Sequence, residues 1–217
     1  MRVLLAFVAL LICLAAGAYG LLRWRADDPG KIIEADLADA HFVFPAAYAR
    51  DEATAAGGFT DRLAFAALFP DFSPRRLAAK AFAPNKPADR GQNTVFVTIS
   101  LKDDAIDPMD RPTNLYARFL EGDAWTGPGG LVMRRFQQGS PYDLEQLYIA
   151  PPDGRGFFAR CPKPHASGPA DACLSVFRTG ALDVELRFAP ALLEHWETLV
   201  DGAHAFVDRI LAGGRKK

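Results

Sequence analysis

Two cysteines separated by eleven residues are the side chains whose spacing most clearly predicts chemistry. Cys161 ends one candidate strand and Cys173 begins the next. Because facing residues of antiparallel neighbours lie about 5 Å apart, the two sulfur atoms would be within reach of a disulfide bond. An alternative interpretation adds His165 as a metal ligand, but a structural zinc site needs four ligands and the sequence offers no fourth nearby. The spacing therefore favours a disulfide and an oxidising compartment.

Acidic side chains follow the candidate strand at residues 94–101, and such carboxylates could bind calcium. However, the spacing, the glycine and the final glutamate of an EF-hand loop are missing. A solvated acidic loop is therefore the expectation. The four aspartates concerned are Asp103, Asp104, Asp107 and Asp110.

Two further groups have the types of residue that act as acids, bases or ligands. Asp143 and Glu145 share one face of a candidate strand, as paired catalytic carboxylates would, but such pairs are common on solvated strands. His195 and His204 stand nine residues apart on one predicted helix, so they point in different directions and cannot hold one ion. Phosphate-binding glycine loops, the G-x-S-x-G elbow and H-E-x-x-H are absent from the sequence. The sequence thus predicts no catalytic residue, no metal and no cofactor.

Aromatic residues in turns are the candidates for a binding surface, since Trp, Tyr and Arg supply much of the binding energy at protein interfaces. Trp125 lies in the glycine-rich turn 122–130, and Tyr142 follows a proline in another turn. We name Trp125 and Tyr142 as the candidate binding surface. The alternative is that both rings fold back onto the sheet and fill the turns.

Residues 3–22 form a run of 20 positions without a charge. At about 1.5 Å per helical residue, this run would span the hydrocarbon core of a bilayer, about 30 Å. Arginines flank it on both sides, and Trp24 suits the headgroup layer. Residues 1–25 are therefore predicted to form a transmembrane signal anchor. A cleaved secretory signal is the alternative, because residues 16–18 read Ala-Gly-Ala, the small-x-small form that signal peptidases recognise.

Two signals disagree about which side of the membrane holds the rest of the chain. One arginine precedes the apolar run and two follow it, so the positive-inside rule places the C-terminal part in the cytoplasm. The disulfide-compatible cysteines argue for the opposite side. Giving the cysteines more weight, we expect a single-pass protein of the inner (cytoplasmic) membrane whose soluble domain faces the periplasm.

The remaining 192 residues are enough for one domain with a sizeable core. The first 25 residues hold three arginines and no acid, which leaves 22 Lys and Arg against 26 Asp and Glu, a formal charge of −4. Such a mildly acidic domain has no electrostatic attraction for nucleic acid. We expect a juxtamembrane linker at residues 26–40 and an extracytoplasmic domain at residues 41–217.

Short strands separated by turns dominate this domain. Alternating apolar residues predict strands at 41–44, 61–69 and 94–101. Short helices are expected at 73–82 and 112–122, with a strand as the alternative for the second segment. Five more candidate strands follow within about 60 residues, too closely spaced for parallel crossovers, so they predict an antiparallel meander. Their sequences are LVMRRF, YDLEQLYI, RGFFARC, CLSVFRT and LDVELRF.

The last predicted element is an amphipathic helix that begins at Pro190 and ends before the glycine pair at 213–214. Its wide apolar stripe must be covered, most simply by one face of the meander. The predicted fold class is therefore α+β, an antiparallel β-meander packed by a C-terminal amphipathic helix and preceded by an N-terminal transmembrane helix. The stripe consists of Leu192, Trp196, Leu199, Ala203, Phe206 and Ile210.

Taken together, these patterns predict a membrane-anchored extracytoplasmic protein of the bacterial envelope that binds a protein partner. It would be an accessory factor, an inhibitor or an immunity-type protein. The alternative is a hydrolase of envelope polymers that uses acidic residues. A deep cleft with two converging carboxylates would favour the hydrolase, whereas a shallow apolar patch would favour the binding protein.

Overall fold

The computed structural model describes residues 30–75, 92–163 and 172–212. Within these ranges the chain forms strands, three helices and several 3-10 turns. The helices are α1 (Glu52–Ala56), α2 (Arg111–Asn114) and α3 (Trp196–Ala212). The strands are β1 (Ile32–Leu37), β2 (Ala40–Pro45), β3 (Gly58–Phe59), β4 (Arg62–Leu68), β5 (Ser73–Pro74), β6 (Thr94–Leu101), β7 (Leu120–Thr126), β8 (Val132–Phe136), β9 (Glu145–Ile149), β10 (Phe158–Pro162), β11 (Cys173–Thr179) and β12 (Leu182–Phe188).

The described strands form two sheets. The large sheet has the order β5-β4-β6-β12-β11-β10-β9-β8-β7, and every neighbouring pair in it is antiparallel. The small sheet has the order β2-β1-β3, with β1 and β3 parallel. Strands β8 to β12 are neighbours in chain order, which confirms the predicted antiparallel meander.

Alternation along the strands gives the large sheet one buried face, which we call the helix face. On β12, Leu182, Val184 and Leu186 are buried, whereas the charged residues between them are not. Because side chains alternate between the two faces of a strand, this pattern places the apolar set against α3. The C-terminal helix does pack on the sheets, as the sequence predicts.

Phe206 of α3 is the centre of the main core. Its ring lies 5.5 Å from Phe65 of β4, 5.1 Å from Tyr48 and 6.1 Å from Phe72, measured between ring centroids. Phe44 of the small sheet contacts the same Phe65 ring at 4.9 Å. The helix, the large sheet and the small sheet therefore share one apolar core.

A second, smaller core lies on the other face of the large sheet, where the 3-10 turn Tyr116–Phe119 covers β8 to β10. Buried rings meet edge to face here, with Tyr116 at 5.9 Å from Phe136. The buried members are Tyr116, Leu120, Phe136, Leu147 and Phe158.

The structure forms the predicted disulfide between Cys161 and Cys173. Arg160 pairs with Leu174 in the β10–β11 ladder, so the two cysteines face each other directly, with Cα atoms 4.1 Å apart. Both are buried on the helix face. The bridge therefore joins two neighbouring strands and closes the loop between them.

Strand β7 is the last strand of the large sheet and contains a bulge between Leu120 and Ala124. The guanidinium of Arg134, on β8, donates hydrogen bonds to the carbonyl oxygens of Glu121 and Asp123 inside this bulge. The bulge therefore bends the strand, and the arginine occupies the carbonyl groups that the bulge removes from the ladder.

Three local predictions differ from the structure. The sequence predicts a linker or a short helix over residues 31–40, but most of this segment forms β1, because Ile33, Ala35 and Leu37 alternate into the core. Ser73–Pro74 forms β5, Arg75 directly after it is helical, and residues 76–82 of the predicted helix lie outside the described residues.

The predicted helix at 112–122 is replaced by two short helical pieces that end where β7 begins at Leu120. Trp125 therefore lies on β7 and not in a turn. Pairing with β8 extends this segment, a long-range contact that turn residues alone do not reveal.

No helix in the described ranges is long and apolar enough to cross a membrane. Residues 3–22, the predicted span, lie outside the described residues. The signal anchor and the location that we infer from it stay predictions.

The disulfide is expected to stabilise the folded state. Replacing both residues, Cys161→Ala with Cys173→Ala, should lower the free energy of unfolding by about 3 kcal/mol, because the unfolded chain regains the freedom of the closed loop. Urea unfolding of the full chain measures this loss, and Cys13→Ala serves as the control that leaves the bridge intact. An unchanged unfolding free energy, with both thiols free in protein from its native compartment, would contradict the assignment.

The ring of Phe206 should matter more for stability than any exposed ring. Phe206→Ala should cost about 3–5 kcal/mol of unfolding free energy, since a large cavity would remain among the rings around it. Phe59→Ala makes the same substitution at a residue that is 87% exposed and should cost less than about 0.5 kcal/mol. Equal losses for the two variants in urea unfolding would show that the core does not depend on Phe206.

Candidate binding surface

His195 and His204, which have side chains of the type that binds metals, pack against aromatic rings. No group of three or more His, Cys, Asp or Glu is placed to hold a metal ion within the described part of the chain. His195 stacks on Phe69, and His204 contacts Phe177 with ring centroids 4.1 Å apart. The two histidines therefore pack against separate rings and do not form one site.

The acidic loop after β6 is bound to an arginine. Arg178 of β11 forms two hydrogen bonds with Asp183, at 2.6 and 2.9 Å, and its guanidinium also lies near Asp103 and Asp107. Hydrogen bonding to Asp183, together with the negative charges around it, raises the pKa of Arg178. Asp110 pairs with Arg155 in the same region. Arginines thus neutralise much of the acidic loop.

The carboxylates Asp143 and Glu145 have different partners. Asp143 accepts a hydrogen bond from the backbone N–H of Gly139 and closes a turn, whereas Glu145 binds Arg160 at 2.8 Å. Each therefore has a structural role of its own.

Trp125 lies half-buried on the helix face at the end of the large sheet, near the β7–β8 turn that Trp196 of α3 contacts. The β-ladders place Met133 and then Tyr148 beside it in one row across β7, β8 and β9. The guanidinium carbon of Arg135 lies 4.5 Å from the centre of the Trp125 ring, within the range of a cation–π contact. These residues form a half-exposed aromatic row that is rich in the residue types of protein interfaces.

Tyr142 lies on the opposite face of the large sheet and packs onto the second core. Its ring centroid is 5.0 Å from Phe136 and 5.2 Å from Tyr116, and the guanidinium carbon of Arg160 lies 5.0 Å from it. Tyr142 therefore covers the second core. Since Trp125 is on the other face, the structure does not bring the two predicted binding residues together, and their role in binding stays a prediction.

Burial and charge act in opposite directions on the pKa of Tyr116 in this second core. Burial raises the pKa of the Tyr116 hydroxyl above its ordinary value of 10, and the positive charge of Arg160 offsets part of that rise. Arg160 also lies over the Tyr116 ring at 5.6 Å. The arginine is thus held between two tyrosine rings and a glutamate.

The most exposed aromatic residue of the described chain lies on the small sheet. Phe59 is 87% exposed, and Ile32 is 56% exposed. The ladder places Phe59 beside Asp36, which in turn faces His41. We call this outward surface of the small sheet the Phe59 face, and it consists of Ile32, Glu34, Asp36, His41, Val43, Pro45 and Phe59.

Gly57 is what lets Phe59 reach the edge of the small sheet. It ends α1 with a φ of +73°, a conformation that side chains rarely adopt. A Cβ atom at this position would lie only 2.5 Å from the carbonyl oxygen of Glu34. A glycine is therefore required for the chain to pass this close to β1 and pair with it.

Carboxylates lie between the apolar residues of the Phe59 face, because Glu34 and Asp36 belong to the central strand β1, whereas Val43 and Phe59 lie on the strands beside it. Four acids, Glu34, Asp36, Asp39 and Asp61, lie on its strands and turns, against one lysine, Lys31. Asp36 binds the Nδ1 atom of His41 at 2.6 Å. The face is therefore both apolar and acidic.

Phe59 is not among the binding residues predicted from the sequence, although the sequence holds a signal for it. The pair Gly57-Gly58 marks a turn and Phe59 follows at once, which is the same pattern that points to Trp125 and Tyr142. What the sequence does not show is that Phe59 pairs with β1 and so points outward.

Comparison with known proteins gives a likeness in structure alone. No model of a protein family matches the sequence, and no curated protein matches it either. The fold is similar to that of an immunity protein. That protein is Smlt3025, an immunity protein of the Stenotrophomonas maltophilia type IV secretion system, which is 16% identical with a TM-score of 0.55. The match covers 83% of this chain and 93% of Smlt3025.

A second solved structure has a weaker likeness. The iron-regulated outer membrane lipoprotein FrpD of Neisseria meningitidis is 9% identical, with a TM-score of 0.46, over 85% of this chain and 92% of FrpD. At this TM-score the likeness supports no argument about this chain.

Buried Tyr116 should make stability depend on alkaline pH. Because its pKa is raised in the folded state, the unfolded chain loses this proton first, so its contribution is complete below pH 10 and is lost as the pH rises through the folded pKa. Tyr116→Phe keeps the ring and should make the loss of stability above about pH 10 shallower. Urea unfolding at a series of pH values measures the slope, and absorbance titration should show one fewer late-titrating tyrosine. An unchanged slope would contradict the burial of this hydroxyl.

Proposed function

We propose that this chain is an immunity-type binding protein of the bacterial envelope, which binds a protein partner and thereby blocks its activity. The observation that carries the proposal is Phe59, a large aromatic side chain that a rigid sheet presents almost fully to solvent. Isolated exposed apolar residues are common, but here Ile32 and Val43 extend the same surface. The proposed site is therefore the Phe59 face.

The small sheet is well suited to present this surface. Its inner side chains, which include Phe42 and Phe44, are buried in the main core, so the strands are fixed from behind. On its outer side, the carboxylates of Glu34 and Asp36 on the central strand lie between Val43 and Phe59 on the flanking strands. Burial of the Phe59 ring against a partner would contribute about 1.5–3 kcal/mol. A rigid surface also loses little conformational entropy when it binds.

Two further observations support this function. The fold is similar to that of Smlt3025, whose role as an immunity protein belongs to that protein and reaches this chain only as part of the proposal. The disulfide suits an oxidising compartment such as the periplasm. We extend the proposal to a single-pass anchor at residues 3–22 in the inner membrane, with the described domain on the periplasmic side.

The alternative of an envelope-polymer hydrolase has no specific observation in its favour. Within the described residues, the carboxylates that the sequence suggests as a pair, Asp143 and Glu145, bind a turn and an arginine. We therefore develop the binding function alone.

The test compares Phe59→Ala with Leu144→Ala in the full chain. Leu144 is a matched control because it is 68% exposed and lies beside the large sheet, away from the Phe59 face. The partner is first identified by photo-crosslinking in native envelopes, with p-benzoylphenylalanine in place of Phe59. Its affinity is then measured with each purified variant, and its activity is measured with and without the chain.

We expect Phe59→Ala to weaken the complex by at least about tenfold, as the loss of an aromatic anchor does, without a change in melting temperature. Leu144→Ala should bind like the natural chain. A crosslinked protein whose activity is unaffected by the chain, or equal affinities for the two variants, would refute the proposal.

A further inference from the structure

The Phe59 face differs from the outer face of the large sheet in how many of its carboxylates form ion pairs with cations. On the face of the large sheet opposite α3, each of three acids binds an arginine: Glu145 binds Arg160, Asp183 binds Arg178 and Glu185 binds Arg187. Those ion pairs cancel the charge of that surface locally. It therefore offers little electrostatic attraction to a charged partner.

On the Phe59 face, most carboxylates have no described arginine paired with them, so their negative charge is not neutralised. Glu34, Asp39 and Asp61 are exposed and form no ion pair with any described residue. Asp36 interacts with His41, which is the one basic side chain on the face itself. Glu34 and Asp36 stand two residues apart on β1, so their side chains leave the same face about 6.5 Å apart. Negative charge is therefore concentrated beside the exposed Phe59 ring.

We infer that the partner docks on the Phe59 face with a basic surface, in which lysine or arginine side chains flank an apolar pocket for Phe59. This inference rests on the proposed function and adds the chemistry of the partner to it. Carboxylates beside an exposed aromatic ring complement cations that lie beside a pocket on the other protein. An anionic lipid surface is disfavoured, because the same carboxylates would be repelled by its headgroups.

The carboxylates and Phe59 have separate effects on the rates of binding. The carboxylates of the face attract a basic partner at long range, so they mainly raise the association rate, and salt weakens this attraction. Phe59 contacts the partner directly and mainly slows dissociation. Association and dissociation rates therefore report on different residues of the same surface.

The experiment measures both rates for the full chain against the protein that crosslinks through residue 59. One variant carries Glu34→Lys with Asp61→Lys. Its matched control carries Asp201→Lys with Asp208→Lys, which makes the same change in net charge at exposed positions of α3. Vesicles of phosphatidylglycerol and phosphatidylethanolamine are tested in parallel, and melting temperatures verify that each variant is folded.

We expect the Glu34 and Asp61 reversal to lower the association rate about tenfold at low salt, and the α3 control to change it less than about twofold. Affinity of the natural chain should fall between about 50 mM and about 300 mM salt. Equal effects of the two reversals, or affinity independent of salt, would overturn the inference while the proposed function stands on the Phe59→Ala result. Crosslinking to lipid, or vesicle binding that needs Phe59, would also overturn it.

Discussion

The contact of Phe206 with Phe65, Tyr48 and Phe72 is the interaction on which the other layers depend. One ring on α3 meets β4 of the large sheet, the 3-10 turn that follows β2 and the turn between β4 and β5. Beside it, the guanidinium of Arg209 donates hydrogen bonds to the Tyr48 hydroxyl and to the Phe72 carbonyl oxygen. The apolar contact thus supplies the energy of packing, and the polar contacts fix the angle at which the helix lies.

This arrangement decides which side of the small sheet faces solvent. Ile33, Ala35 and Leu37 point into the shared core, so the residues between them on β1 must point away from it. A shift of β1 by one residue would bury Glu34 and Asp36 and is excluded by the cost of burying charge. The acidic character of the proposed binding surface is therefore a direct consequence of the register of β1.

Sequence reasoning predicts the elements whose signal is local. Strand β6, the meander and the terminal helix have strong periodicity, and the cysteine pair stands at the ends of two adjacent strands. Strand β1 is missed because its short alternating pattern follows a turn and resembles a linker. The candidate site is missed because the exposure of Phe59, and the partial burial of Trp125 and Tyr142, depend on contacts far apart in the sequence.

The bulge in β7 affects whether strands of other molecules can add to this edge of the large sheet. A wide antiparallel sheet with a straight open edge is a template onto which a strand of another molecule can add, and repeated addition leads to fibres. In β7 the ladder is interrupted, and the carbonyl oxygens of Glu121 and Asp123 already accept hydrogen bonds from Arg134. A straight strand of a second molecule therefore pairs poorly with this bent border. The bulge thus works against self-assembly at high local concentration.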